Sequence, residues 1–130
     1  METELVLLDT SILIDYYRKK DKTNSVFWNL VLPGRIFMVT AITIFEIYVG
    51  AKNEEIPFWD NFFHDFIVVN FHSNDAILAS NLDKILKKKR KQIDIPDLFI
   101  AAIAVRNNLL FATLNKSHFE RIDNLRLLEF

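Results

Sequence analysis

The segment LVLLDTS, residues 5–11, joins four consecutive apolar residues to an acid and two hydroxyl-bearing residues. An uninterrupted apolar run of this kind is typical of a strand buried on both faces of a parallel sheet. Apolar residues at helical spacing follow at once, at Ile12, Leu13, Tyr16 and Tyr17. A strand leading directly into a helix is the first part of a β-α-β unit, and it places Asp9 at the carboxyl end of that strand.

The alternation of strand and helix continues along the chain. Further strands are predicted at residues 36–39, 67–69, 109–112 and 125–128. Helices are predicted at residues 25–32, 41–51, 57–66, 74–89, 94–107 and 116–121, and the helix at 74–89 has a predicted inner face of Ile77, Leu78, Leu82, Ile85 and Leu86. We therefore expect an α/β fold with a mostly parallel sheet, in a single domain of residues 1–130.

Composition limits the classes of function. The chain has 130 residues, a net charge of −1 and no cysteine, which excludes disulfides and thiolate metal sites. The longest uncharged apolar run, residues 36–45, is far below the roughly 20 residues of a membrane helix, and no signal peptide is visible. We expect a cytoplasmic protein without a membrane contact. Hydrophobic residues make up 51% of the chain, which suggests that some apolar surface contacts a partner or a second copy.

Asp9 is the first candidate for a functional acid. Ligands of open parallel sheets bind at the carboxyl ends of the strands, so a carboxylate directly after the first strand would face the binding crevice. Alternatively, Asp9 or Ser11 caps the helix that follows. The local sequence leaves both interpretations open.

Glu46 is a candidate because of its neighbours in the helix predicted at 41–51. Ile42, Phe45 and Val49 form an apolar stripe, and Glu46 falls on the same stripe. A carboxylate on a buried face is unfavourable unless it is paired or binds a metal. The alternative is that Glu46 lies at the edge of the stripe and reaches solvent or a lysine.

Asp97 is the third candidate, in the first turn of a helix for which Asp94 is the expected N-cap and Pro96 a tolerated early residue. Asp97 shares one face with Ala101 and Ala104, whose small side chains would let the helix pack closely and hold the carboxylate deep. An acid in a first turn is also favoured by the helix dipole, which is a sufficient structural explanation by itself.

A fourth segment, Thr113 to Phe119, follows the strand predicted at 109–112. Thr113 and Asn115 could bind or orient a water molecule on a metal. They could equally cap the short helix that follows.

Together these four segments resemble the PIN-domain nucleases, and in particular the VapC-like toxins of prokaryotic toxin–antitoxin pairs. The matching pieces are residues 7–11 with 14–15, 40–46 with 50, 94–97 with 100–102, and 113–115 with 118–120. The resemblance implies the PIN-like three-layer fold, a twisted parallel sheet flanked by helices. It also implies a divalent-metal site, endoribonuclease activity on RNA that leaves a 5′-phosphate and a 3′-hydroxyl, a homodimer, and a cognate antitoxin protein.

The three acids are assigned to the metal. Asp9 and Asp97 are the expected central ligands, and Glu46 is a third ligand or a base that accepts a proton from water. Carboxylate oxygens suit Mg²⁺, and Mn²⁺ can substitute. Crowded carboxylates repel one another, and a divalent ion removes that repulsion.

The remaining site residues carry hydroxyl or amide groups. Thr113 and Asn115 complete the expected catalytic set, and Thr10 and Ser11 are assigned to the RNA or to ordered water. The family usually has a further acid in the last segment, where this chain has Asn115 and His118. Which of the two fills that position stays open, as does the number of metal ions, one or two.

Two surface features have more than one interpretation. The basic residues Lys84 and Lys87–Lys91 could bind the RNA backbone, with Lys88 and Arg90 as the assigned contacts, or complement a helix C-terminus. The aromatic residues are assigned to packing in the core, the dimer or the antitoxin contact rather than to base stacking: Phe27, Trp28, Phe58, Trp59, Phe62 and Phe63.

Three alternative functions are considered. One is a catalytically weak PIN-like module that binds RNA or protein, and another is a housekeeping RNA-processing nuclease. The third is a receiver-like phosphoacceptor domain, which fits poorly because it needs an acidic pair directly after the first strand, where only Asp9 is acidic.

Overall fold

The fold is built on a five-stranded sheet in which neighbouring strands pair in parallel. It is seen in a computed structural model that describes residues 2–130, so Met1 of the predicted domain lies outside the described residues. The strands are β1 (Glu4–Leu8), β2 (Arg35–Thr40), β3 (Ile67–Val69), β4 (Leu110–Ala112) and β5 (Arg126–Leu127). The helices are α1 (Thr10–Arg18), α2 (Val26–Leu30), α3 (Ala41–Gly50), α4 (Ile56–Phe63), α5 (Ser73–Lys88), α6 (Ile95–Arg106) and α7 (Lys116–Phe119). Across this described range, no helix is long and apolar enough to cross a membrane.

The strand order, β3-β2-β1-β4-β5, places β1 at the centre of the sheet. Strands β2 and β3 are added on one side of β1, whereas β4 and β5 are added on the other, so the strand order reverses between β1 and β4. Ligand sites of open parallel sheets lie at such a reversal, outside the carboxyl ends of the strands. Leu8 pairs with Ala112, and the N–H of Asp9 donates to the carbonyl oxygen of Ala112 at 2.9 Å. The residues that follow β1 and β4 therefore lie side by side.

A receiver-like domain has the strand order 2-1-3-4-5, which differs from the order found here, so the receiver-like alternative is excluded.

Hydrophobic residues pack on both faces of the sheet, as the apolar run of β1 predicts. Leu7 packs into a cluster with α5 and α6, whereas Val6 and Leu8 pack into a second cluster with α1, α2 and α4. All three side chains are fully buried. The expected α/β fold with a parallel sheet between two helical layers is thereby confirmed.

Aromatic side chains fill much of the second cluster. Trp59 is buried and stacks on Tyr17 and Phe63, and Phe62 stacks on Phe66 with 4.8 Å between ring centroids. The assignment of the α4 aromatics to packing is confirmed by these contacts.

The predicted buried stripe of α3 is wrong at two of its three residues. Phe45 and Val49 are 65% and 70% exposed, and the buried residues of the helix are Thr43 and Ile47. The orientation of α3 is set at its first turn, where Thr40 ends β2 and its Oγ1 accepts a hydrogen bond from the N–H of Thr43 at 3.0 Å. Because α3 follows β2 without a loop, this turn directs Thr43 and Ile47 toward the sheet and leaves Phe45 and Val49 in solvent, whereas Ile42 is half-buried against the first cluster.

The predicted inner face of α5 is also partly wrong. Ile77 and Ile85 are exposed, whereas Ala79 and Leu86 are buried against α6. The helix is held in this rotation by the fully buried Asp75, which accepts hydrogen bonds from the N–H of His72 and from the Arg106 side chain of α6. A buried ion pair thus determines which face of α5 meets its neighbour.

Candidate metal and catalytic site

Four segments bring the sequence-predicted acids to one end of the sheet. Asp9 directly follows β1, Thr113 directly follows β4, Glu46 lies on α3 and Asp97 lies in the first turn of α6. α6 is buried over residues 100–104 between the sheet and the neighbouring helices, which fixes the position of its N-terminus. The site therefore rests on rigid elements.

Asp9 is 2% exposed and is held by two hydroxyl groups. Its Oδ2 atom accepts hydrogen bonds from Ser11 Oγ and from Thr113 Oγ1, each at 2.7 Å. Asp9 occupies the N-cap position of α1, but its side chain makes no capping bond to the helix, so capping does not explain the carboxylate. Ser11 Oγ also accepts from the N–H of Leu114 at 3.1 Å, which ties together the two segments that follow β1 and β4.

Glu46 is half-buried and its orientation depends on Thr10. Thr10 Oγ1 donates to Glu46 Oε1 at 2.8 Å and lies 2.9 Å from Thr43 Oγ1. Thr10 is buried between α1 and α3. The structure thus places Thr10 as a support for Glu46, whereas Ser11 supports Asp9.

Asp97 lies in the electrostatic field of the other two acids. The pKa of Asp97 is raised to about 6. Burial is the largest cause, the negative charges of Asp9 and Glu46 come next, and His118 acts in the opposite direction. Within residues 2–130, the Asp97 carboxylate accepts no hydrogen bond that would offset this repulsion; His118 Nδ1 lies 3.7 Å from its Oδ2. A carboxyl group whose pKa is raised by desolvation and by named charged neighbours is a feature of functional sites.

The fourth segment contributes two different groups. The backbone N–H of Asn115 donates to Thr113 Oγ1 at 2.9 Å and so supports the residue that holds Asp9. Its side chain makes no capping bond to α7. His118, one turn further along, is the residue of this segment that lies beside an acid. The structure thus brings the imidazole rather than the amide next to Asp97.

The donor set fits a hard divalent cation that keeps part of its own hydration. Over the described part of the chain, no three histidine or acidic side chains converge closely enough to hold an ion by themselves. Each acid nevertheless has an oxygen without a hydrogen-bond partner in residues 2–130, namely Asp9 Oδ1, Glu46 Oε2 and both oxygens of Asp97. Mg²⁺ is commonly bound by one or two carboxylates together with water and substrate phosphate, and these oxygens match that requirement.

Among residues 2–130, neither Lys88 nor Arg90 makes an ion pair with the three acids. Arg90 lines a cavity of about 490 Å³ with Lys91, Ser117, Glu120 and Arg121, whereas Lys88 is exposed at the last turn of α5. Arg121 was not singled out by sequence reasoning, because an isolated arginine after a short helix carries no spacing signal.

A family model covers the part of the chain that contains all four segments. A model described as PIN domain matches residues 6–125. Ribonuclease VapC1 of Methanocaldococcus jannaschii is 31% identical over 128 residues, which are 97% of this chain and 87% of that protein. Ribonuclease VapC2 of Haemophilus influenzae is 28% identical over 92% of this chain and 93% of its own length.

Solved structures share the fold at lower sequence identity. VapBC2 from Rickettsia felis, bound to a DNA fragment of its promoter, contains a chain that matches with a TM-score of 0.83 and 23% identity, over 97% of this chain and 98% of that one. FitAcB from Neisseria gonorrhoeae matches with a TM-score of 0.76 and 22% identity, over 95% and 96% of the two chains.

Proposed function

Because this chain belongs to the PIN-domain family, we propose that it is a metal-dependent endoribonuclease and the toxin of a toxin–antitoxin pair. The observation that carries the proposal is the cluster of Asp9, Glu46 and Asp97 at the reversal of strand order, with the pKa of Asp97 raised by burial and by the charges of the other two acids. The names of the relatives, which are ribonucleases, support RNA as the substrate.

We propose Mg²⁺ as the natural cofactor, with Asp9 and Asp97 as its main ligands, Glu46 as a third ligand or base, and Mn²⁺ as a substitute. When bound, the cation would offset negative charge on the phosphate and make water a better nucleophile. The chain's own residues hold the acids in place. The hydroxyl groups of Ser11 and Thr113 hold Oδ2 of Asp9, and the hydroxyl group of Thr10 holds Oε1 of Glu46. These bonds fix the orientation of each carboxylate, and with it the position of its second oxygen.

The activity is tested by incubating the purified protein with a labelled single-stranded RNA, with Mg²⁺, with Mn²⁺ and with EDTA. We expect internal cleavage with either cation, 5′-phosphate ends on the products, and loss of cleavage in EDTA. RNA binding without turnover in any of these buffers would contradict the nuclease and favour the binding-module alternative. Cleavage that persists in EDTA would contradict the metal.

We further propose that the protein forms a homodimer through the exposed apolar face of α3, defined as Phe45 and Val49. Two large apolar side chains, Phe45 and Val49, project from one helix face into solvent, an arrangement that is unfavourable unless a partner covers it. Phe45→Lys should therefore convert the dimer to a monomer at micromolar concentration, as measured by sedimentation velocity. Ile77→Lys, on the exposed face of α5, is the matched control and should leave the mass unchanged. Equal masses for the wild type and Phe45→Lys would rule out this interface.

A protein antitoxin is the second proposed partner. The support is the fold shared with chains of VapBC2 and FitAcB. A small protein encoded beside this one should form a stable complex with it and inhibit the cleavage described above. A housekeeping nuclease would be insensitive to such a neighbour.

A further inference from the structure

The end of α5 holds an arginine in a backbone conformation that favours glycine. Arg90 has a φ of 54°, and the N–H groups of Arg90 and Lys91 donate to the carbonyl oxygens of Lys87 and Leu86 at 3.0 and 2.9 Å. These two bonds define a Schellman motif, in which the left-handed position is usually glycine or asparagine. Arginine is less stable than glycine in this conformation, so the presence of Arg90 at an exposed helix end is better explained by a function than by stability.

The end of α6 provides an internal comparison. It closes with the same two bonds, from Asn108 to the carbonyl of Val105 at 3.1 Å and from Leu109 to that of Ala104 at 3.0 Å. Its left-handed residue is Asn108, with a φ of 51°. Asparagine adopts this conformation more readily than arginine, so the two helix ends differ in sequence where they agree in geometry.

Arg90 lies in a concave cluster of positive charge. The cavity of about 490 Å³ is lined by Arg90, Lys91 and Arg121, together with one hydroxyl group and one acid. Arg121 Nη1 donates to the carbonyl of Gln92 at 3.0 Å, which orients its guanidinium group and leaves other N–H donors available. Other cations nearby are already paired: Lys87 with Asp83 at 3.0 Å, and Lys89 with Asp123 at 3.6 Å. Arg90, Lys91 and Arg121 make no ion pair with any described residue.

This cavity adjoins the acid cluster through α7. Ser117 lines the cavity, and the next residue, His118, lies 3.7 Å from Asp97. From the other side, Lys91 stands six residues before Asp97 in the chain. Consecutive residues of α7 therefore line the cavity and contact Asp97, so the two features share this short helix.

We propose that Arg90, Lys91 and Arg121 form a phosphate-binding subsite that holds a backbone phosphate of the RNA at a fixed distance from the bond that is cut. The inference rests on the proposed ribonuclease function. It extends that function by assigning a second contact point on the substrate, outside the acid cluster. Two arginines and a lysine around one cavity suit a phosphodiester, because a guanidinium group donates two parallel hydrogen bonds to phosphate oxygens.

The proposal is tested with Arg90→Gly, Lys91→Gln and Arg121→Gln. Arg90→Gly should raise the melting temperature, because glycine suits the left-handed position, and should still weaken binding of single-stranded RNA about tenfold at low salt. If Arg90 had only a structural role, a variant with a higher melting temperature would not bind RNA more weakly. Each variant should also reduce the slope of log affinity against log salt by about 1, and should raise KM rather than lower kcat.

Two controls match the variants in backbone and in charge. Asn108→Gly changes the equivalent position of α6 without removing a cation, and Lys20→Gln removes an exposed cation at the end of α1. Neither should change RNA affinity by as much as twofold. A trimmed series of oligonucleotides gives a second measure. Wild-type KM should rise at the length where the bound phosphate is lost, and Arg121→Gln should abolish that rise.

RNA affinity is measured by fluorescence anisotropy in EDTA, so it does not depend on cleavage. Reduced affinity in the three variants supports the subsite even if the nuclease proposal fails. The subsite is wrong if the variants bind RNA as tightly as Lys20→Gln does. It is equally wrong if they lose affinity only for an acidic protein partner.

Discussion

Replacing Asp97 with asparagine should abolish RNA cleavage and, at neutral pH, make the metal-free protein more stable. Asparagine has the same shape but no charge. Cleavage should fall by roughly a thousandfold or more, since several kcal/mol of charge stabilisation at the phosphate depend on a divalent ion that this acid helps to hold. The two effects have opposite signs because the charge that would bind the cation is also the charge that repels Asp9 and Glu46.

The gain in stability should depend on pH in a defined direction. Burial and the two neighbouring acids raise the pKa of Asp97 from 3.8 to about 6 in the folded protein. A raised pKa adds stability that is complete below the unfolded value and is lost as the pH rises through the folded value. The wild type should therefore lose stability between about pH 4 and pH 7 relative to Asp97→Asn. The difference should reach about 1–3 kcal/mol above pH 6 and vanish near pH 4.

Urea unfolding in EDTA at several pH values measures this difference, and a cleavage assay in Mg²⁺ measures the activity. Asp65→Asn is the matched control, because Asp65 is exposed at the end of α4 and makes no ion pair with the described residues. It should change neither property. A variant at position 97 that cuts RNA normally would refute the site, and one that is destabilised at pH 7 would refute the charge repulsion.

The α/β fold and the three acids were predictable from the sequence because each rests on a local pattern. The unbroken apolar run of β1 identifies a central parallel strand, and the residue after such a strand must lie at the carboxyl edge of the sheet. Asp97 follows from the DIPD start of α6. Parallel pairing then brings the ends of β1 and β4 together, which places Asp9 beside Thr113 without further information.

Glu46 lies close enough to Asp97 for its charge to raise the pKa of that acid, but it does not lie on a buried stripe. Phe45 and Val49 are exposed, because apolar spacing alone does not distinguish a face that meets the core from one that remains available to a partner. The hydrogen bond between Thr40 and Thr43 decides the orientation, and its consequence depends on the tertiary position of β2. The roles of Thr10 and His118 were also beyond the sequence, since both arise from contacts between segments more than 20 residues apart.

Asp9→Asn should abolish cleavage as completely as Asp97→Asn, but it should change the free energy of unfolding by a different amount. Asp9 accepts two hydroxyl hydrogen bonds in the folded state, and these charge-assisted bonds weaken when the acceptor becomes an amide. The variant gives up this stabilisation while it relieves part of the repulsion on Asp97, so its net gain at pH 7 should be smaller than that of Asp97→Asn. The pKa of Asp97 should fall in Asp9→Asn, because the charge of Asp9 is the larger of the two acidic contributions.

The double variant separates this account from a simple loss of two ligands. Since one repulsion is shared by the two acids, Asp9→Asn combined with Asp97→Asn should gain no more stability than Asp97→Asn alone. Added Mn²⁺ should raise the unfolding free energy of the wild type by about 2–3 kcal/mol at a hundred times its dissociation constant, and by nothing measurable in either single variant or in the double one. Gains that add across the two positions would show that the acids do not interact. A Mn²⁺-induced stabilisation that survives in Asp9→Asn would show that the cation binds elsewhere.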